Sequence, residues 1–271
     1  MRARRAIKTG LSALAGDGSA SGVTILIYHR VGGGSADERD VSVEAFKQQM
    51  ELLALHHDVV TLDRALDALE EGDDAPRVVL TFDDGFADVH HNAFPRLAER
   101  GLPFTLYVAS RFVGGMMHWN GSTASAPGPG LSWGQLARIA ESGLCTIANH
   151  THGHVRPREL GVAEIDRCSD VLEERLGMRP HHFAYPWGFR VPAVEPALRQ
   201  RFRSAVTGEL GRNLPGVDPM CLRRVPVRQS DPLTFFSAKL SGQLWPERAY
   251  ASMVTVAKHV RPGMRRRPAG R

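Results

Sequence analysis

The stretch Arg77-Val78-Val79-Leu80-Thr81-Phe82-Asp83-Asp84-Gly85 constrains this chain more than any other, because an apolar, β-branched run passes directly into two carboxylates and a glycine. A short continuous apolar run of this kind fits a strand buried on both faces, and such strands belong to parallel sheets covered by helices. VTILIYH (23–29), PFTLYVA (103–109) and LCTIANH (144–150) have the same make-up. Segments of helical period lie between them. Phe46, Met50 and Leu53 share one face, Leu62, Ala65, Leu66 and Leu69 another, and Ile165, Cys168 and Leu172 a third. Ser132 and Gln135 stand at capping-box spacing, and Gly143 and Gly177 act as helix stops. Gly114–Gly130 reads as a long loop, and fainter strands are expected near 182–185, 202–206 and 222–227. Strand and helix alternate with short links, which predicts an α/β architecture around a parallel sheet. One domain is expected over residues 21–260, between basic tails at 1–20 and 261–271.

The charge is unevenly placed. The whole chain carries +5, yet residues 1–16 hold four basic side chains and no acid, and residues 261–271 hold five and no acid, leaving about −4 on the body. A nucleic-acid-binding core would carry its positive charge on a folded face, so that class is excluded. The tails read as solvated ends able to make peripheral contact with an anionic membrane. The hydrophobic fraction of 42% supports a sizeable globular core. Cys145, Cys168 and Cys221 are widely spaced and form no CxxC pair, so neither a disulfide framework nor a cysteine zinc site is expected. Cys145 and Cys168 are expected as buried free thiols. The N-terminus has no continuous apolar core of a secretion signal, and no run approaches the length of a membrane span. A cytoplasmic protein, membrane-associated only through its basic ends, is the expectation.

Three polar clusters sit at strand ends, where α/β barrels place their active sites. The first is Asp83-Asp84-Gly85. Adjacent carboxylates point in different directions and can take different tasks, although an Asp in this position also reads as a helix N-cap. The second is Asn149-His150-Thr151-His152-Gly153-His154. Neutral imidazoles are good ligands for zinc and its neighbours, and a turn would bring His150 and His154 to one side while His152 points elsewhere. The third, Phe183-Ala184-Tyr185-Pro186-Trp187-Gly188, supplies aromatics suited to a sugar ring, or else a packed loop. The pairs His90-His91 and His181-His182 match no motif and read as surface or supporting groups.

In this order the three clusters resemble the polysaccharide deacetylase family (carbohydrate esterase family 4), over about Val23 to Val227. The resemblance implies a distorted (β/α)7-type barrel and metal-dependent hydrolytic N-deacetylation of an N-acetylated sugar in a polysaccharide, oligosaccharide or glycolipid. It implies that Asp83 is the catalytic base and that Asp84, His150 and His154 are metal ligands. Zinc suits that set, as do cobalt, nickel and manganese. The backbone N–H of Trp187 falls at the family's oxyanion position. Two departures matter. Many members carry an arginine where this chain has Ala184, so Arg223 or Arg224 is the candidate replacement. The late Leu-x-His that bears the general acid is also missing. The chain is similar instead to the circularly permuted, poly-β-1,6-N-acetylglucosamine deacetylase-like branch, which places the acid on the first strand, at His29. Two other readings stand beside this one: an inactive sugar-binding homologue, suggested by Ala184, and a metal-dependent amidohydrolase acting on a non-sugar amide.

Overall fold

The structure, a computed structural model, describes residues 1–16, 18, 20–119 and 127–260. Seven strands, β1 (Val23–Tyr28), β2 (Arg77–Phe82), β3 (Phe104–Val108), β4 (Cys145–Asn149), β5 (His182–Ala184), β6 (Ser204–Leu210) and β7 (Leu222–Pro226), close into a barrel in chain order. Every neighbouring pair is parallel. β1 runs beside β2 from Val23↔Arg77 to Tyr28↔Phe82 and closes on β7 at Leu26↔Val225. Parallel neighbours need crossovers, and the helices supply them. Described in chain order, the helices are α1 (Arg2–Ala13), α2 (Val43–His56), α3 (Leu62–Glu70), α4 (Phe94–Ala98), α5 (Trp133–Glu141), α6 (Val162–Leu176), α7 (Glu195–Arg201), α8 (Leu233–Leu240) and α9 (Trp245–Val260). α5 begins with the expected reciprocal Ser132–Gln135 box, and α6 ends on Gly177 with φ 69°.

β1 is buried along its whole length and β2 from Val78 onward, as their unbroken apolar sequences require. Ile25, Val79, Tyr107, Ala148, Ala184, Val206 and Leu222 belong to one buried cluster, so a packed core carries the site above it. The expected (β/α)7-type barrel is therefore present.

The chain forms two compact units: Ala20–Gln229, which is the barrel, and Met1–Ser19 together with Ser230–Arg271. Residues 2–13 are a helix rather than a solvated tail. Only Lys8 of α1 is fully buried, where it bonds Ser230 and Asp231 and lies 4.2 Å above the Tyr250 ring. A lysine reads from sequence as a solvated charge although its long stem can be buried, which is why a basic tail was expected here. The expected tail at 261–271 lies outside the described residues. Among the described residues no helix is long and apolar enough to cross a membrane. All three cysteines are free, with Cys145 and Cys168 buried as expected.

Candidate active site

The motifs at the ends of β1, β2, β4 and β5 converge on one cavity of about 220 Å³, whose walls include His29, Arg39, Asp83, Asp84, Trp119, His150, His154, Trp187 and Arg224. Each motif reaches it because a parallel barrel directs all its strand ends to one face.

Asp84 Oδ1 lies 3.5 Å from Nε2 of His150 and 3.5 Å from Nε2 of His154. Three donors about 2.1 Å from a tetrahedral ion stand about 3.4 Å apart, so this spacing fits a first-row divalent cation. Nδ1 of His150 is 2.9 Å from the Ala184 carbonyl, which can only accept. That contact places the proton on Nδ1 and leaves the Nε2 lone pair free for a metal. Desolvation disfavours charge on His154 and lowers its pKa to about 3 despite Asp84, so its imidazole is neutral, the form a metal would need. Burial alone would raise the pKa of Asp84, yet hydrogen bonding to His150 holds it below the usual carboxylate range.

A second His/Asp cluster is engaged differently. Asp63 meets His181 at 3.1 Å and His182 at 3.3 Å, but Arg203 already donates to it at 2.8 Å. His182 opens β5, so this cluster lies at the opposite end of the barrel from the site, where residues serve stability. As expected for adjacent residues, the pair diverges: His181 is exposed and His182 is buried against Ser204. Among the described residues no arginine pairs with Asp84 in this way.

Asp83 does have one. Arg224, itself fully buried, grips both of its carboxylate oxygens, Nη1 to Oδ1 at 2.7 Å and Nη2 to Oδ2 at 2.8 Å. A third contact, Nε to the Thr207 carbonyl at 2.8 Å, fixes the guanidinium plane. Burial would push the Asp83 pKa up, but Arg224 and then His150 outweigh it and hold the carboxyl below its ordinary value. Of the two candidates for the missing third-motif arginine, the structure selects Arg224; Arg223 points outward to Glu209. Period-2 alternation carries this signal, since Leu222 and Arg224 share the inner face of β7.

His29 follows β1 and lines the same cavity. Desolvation lowers its pKa; Asp84 and Asp83 oppose this, and Arg39 and Arg224 reinforce it. Trp187 lines it too, at φ 64°. The next residue, Gly188, stacks so closely on Gly208 that an added Cβ would sit 2.8 Å from the Gly208 Cα, so glycine is required there. His152, as expected, points away and bonds Ser110.

Four non-glycine residues among those described have positive φ: Asp84, Thr151, His154 and Trp187. All belong to the three motifs. Each such conformation costs on the order of 1–3 kcal/mol and survives only where its surroundings impose it, as at active sites. Two wall residues were not anticipated. Trp119 packs its ring 4.1 Å from that of His154, and Arg39 holds Asp37 through two nitrogens at 3.1 and 3.0 Å. Trp119 lies in a glycine-rich loop and Arg39 in a polar one, and neither has a periodic pattern that would announce it.

Residues 70–201 match the polysaccharide deacetylase family. The structure is similar to that of IcaB from Ammonifex degensii, with TM-score 0.69 and 30% identity over 84% of this chain and 98% of that one. It shares its fold with the Streptococcus pyogenes deacetylase PplD, solved with acetate, at TM-score 0.66 and 20% identity over 79% of this chain and 96% of that one. YxkH of Bacillus subtilis (strain 168) is 22% identical over 195 residues, 69% of this chain and 64% of YxkH, so the match spans less than two thirds of that relative. With the barrel matched over nearly the whole of IcaB and the family match running through all three site motifs, the chain belongs to the polysaccharide deacetylase family, hydrolases that cleave a carbon–nitrogen bond on a carbohydrate.

Proposed function

We propose that this protein hydrolyses the acetamide of an N-acetylated sugar, releasing acetate and a free amine, at a centre formed by Asp83, Asp84, His150, His154, His29 and Trp187. The observation that carries the proposal is the adjacency of the Asp84–His150–His154 donor triangle and an Asp83 held ionised by Arg224. A divalent cation in that triangle, zinc in our reading, supplies Lewis-acid polarisation of the acetamide carbonyl and of the attacking water.

The remaining work falls to the chain itself. Asp83 takes a proton from the water as it attacks the carbonyl carbon. Its charge is maintained by Arg224, so it accepts that proton without first having to lose one. The backbone N–H of Trp187 faces the oxyanion that forms on the former carbonyl oxygen. As the C–N bond breaks, His29 delivers a proton to the departing nitrogen, which balances the proton that Asp83 collected. Trp119 and Trp187 flank His154, with ring centroids 4.1 and 5.5 Å away, and offer apolar faces to a pyranose ring. Those faces favour a sugar over a non-sugar amide. The inactive-homologue reading rested on the arginine missing at Ala184, and Arg224 removes that reason. The three free thiols support a reducing, cytoplasmic location.

The test is acetate release from N-acetylglucosamine oligomers, measured with added divalent metal, with chelator, and with Asp83→Asn as control. Metal-dependent release that Asp83→Asn abolishes is the expected result. Release no greater than that of Asp83→Asn on every oligomer overturns the proposal.

A further inference from the structure

We infer that the glycan accepted by this site is anionic, carrying phosphate or carboxylate oxyanions beside the sugar whose acetyl group is removed; the inference rests on the deacetylase reading above. Outside the inner cavity lies a second one of about 640 Å³, open to solvent, and the two share Trp119 and His154 as walls. A chain extending from the inner cavity past these residues enters it. Its polar rim is formed by Arg111, Arg156 and Arg158 against the single acid Glu159.

Arg158 pairs with Glu159 at 3.2 Å. Arg111 and Arg156 have no carboxylate partner among the described residues, and Arg156 lies 5.7 Å above the Trp187 ring. Past Arg111 a further cavity of about 540 Å³ brings in Arg167 and Arg175, also without carboxylate partners among the described residues. Its acid, Glu164, is already engaged, accepting from the Gly153 N–H at 2.7 Å. Residues 120–126 contain no charged side chain, so they do not alter this balance.

Elsewhere on the barrel, arginines are mostly neutralised in place. Arg77 holds Asp73, Arg199 holds Asp218, Arg201 holds Asp166 and Arg203 holds Asp63. The body of the chain carries about −4 overall, so a run of guanidinium groups without carboxylate partners among the described residues is a local reversal of sign beside the site. Unpaired like charges repel one another, and a neutral polysaccharide would relieve none of that repulsion. Guanidinium forks match phosphate and carboxylate geometry, and charge-assisted pairs of this kind are among the stronger polar contacts.

The experiment compares kcat/KM for acetate release from three oligosaccharides of equal length: neutral N-acetylglucosamine units, the same chain with a hexuronate neighbour, and the same chain with a phosphodiester neighbour. Each is measured at about 20 mM and about 200 mM salt, where the screening length shortens severalfold. At low salt, kcat/KM for one anionic substrate should exceed that for the neutral one by about tenfold or more, through KM, consistent with a charged hydrogen bond. The advantage should shrink at high salt. In the double variant Arg111→Gln/Arg156→Gln the anionic-to-neutral ratio should fall toward one, with metal content and melting temperature as in the wild type. A phosphodiester preference assigns phosphate and a uronate preference assigns carboxylate. Equal kcat/KM on all three substrates, or a preference that the double variant retains, overturns the inference. Absence of acetate from all three strikes instead at the deacetylase reading.

Discussion

Arg224 on β7 and Asp83 at the end of β2 form a two-pronged ion pair across the barrel, at 2.7 and 2.8 Å, between side chains that are both buried. An arginine 141 residues away in sequence thus supplies what the third motif lacks at Ala184. Arg224→Met leaves a buried carboxylate without compensation and is expected to cost about 3–5 kcal/mol of stability, measured by denaturant unfolding. Arg224→Lys keeps the charge but loses the fork. It should fold while kcat drops on the order of 100-fold with little change in KM, the size of effect that follows misplacement of a catalytic group. Adding Asp83→Asn to Arg224→Met should recover much of the lost stability and none of the activity. If the double variant is no more stable than Arg224→Met, the pair is not what holds this part of the barrel.

Metal removal should be visible without any substrate. Asp84, His150 and His154 are brought together only in the folded barrel, so a cation bound there stabilises the native state, by about 2.7 kcal/mol at a hundredfold excess over Kd. Chelator should therefore lower the melting temperature of the wild type and leave that of Asp84→Ala unchanged. Elemental analysis of the purified variant should find the metal gone.

Much of this site was legible because its chemistry sits where apolar runs stop. Asp83, Asp84, His150 and His154 each follow a strand that is buried, and the abrupt change from apolar to polar marks the barrel mouth. What stayed hidden depends on tertiary packing. Choosing Arg224 over Arg223 requires the inner face of β7 to be known, which the alternation of Leu222, Arg223 and Arg224 supplies only once the strand is placed. Trp119 is held by ring contacts with Phe86, Phe112 and His154 rather than by any repeating pattern. Helix α1 sets Lys8 against Ser230 and Asp231, partners 222 and 223 residues away that no local pattern announces.

Thr151 offers a test of stored strain. A β-branched residue at φ 65° is a conformational outlier, and its buried hydroxyl has no hydrogen-bond partner. Thr151→Gly removes both penalties and opens only a small void, so a net gain of about 1 kcal/mol is expected. In a chain of this size that raises Tm by about 2–4 °C. Turnover should not rise with it, because the same turn sets the spacing of His150 and His154. A thermal melt showing loss of stability would mean that the hydroxyl or its packing contributes more than the strain costs.

The helical unit should respond to acid in its own way. Asp231 lies between Lys8, at 2.5 Å, and Lys239, at 2.7 Å, and all three side chains are buried. Burial alone would raise its pKa, but Lys239 and Lys8 outweigh it and hold the carboxyl below its ordinary value. A carboxylate whose folded pKa is depressed contributes stability above its unfolded value of about 3.9 and loses it as pH falls through the folded value. Protease sensitivity of the α1 segment should therefore stay flat from neutral pH to about 4 and rise below that. In Asp231→Asn the segment should already be sensitive at neutral pH, since the buried Lys8 ammonium would lose its carboxylate while Lys239 keeps Glu247 at 3.0 Å.

His29 carries the sharpest test of how the work is divided at the site. An amine is a poor leaving group and departs only once protonated, whereas a nitrophenolate leaves from an acetate ester without help. If His29 is the proton donor, His29→Gln should lose amide hydrolysis on an N-acetylglucosamine oligomer by on the order of 100-fold or more. The same variant should keep most of its rate on 4-nitrophenyl acetate. Asp83→Asn should lose both, because activation of the water is common to the two reactions. Metal content must match the wild type, which separates a missing acid from a collapsed centre. An equal loss on ester and amide would place His29 on the side of positioning or water activation, and an unchanged amide rate would remove it from the mechanism.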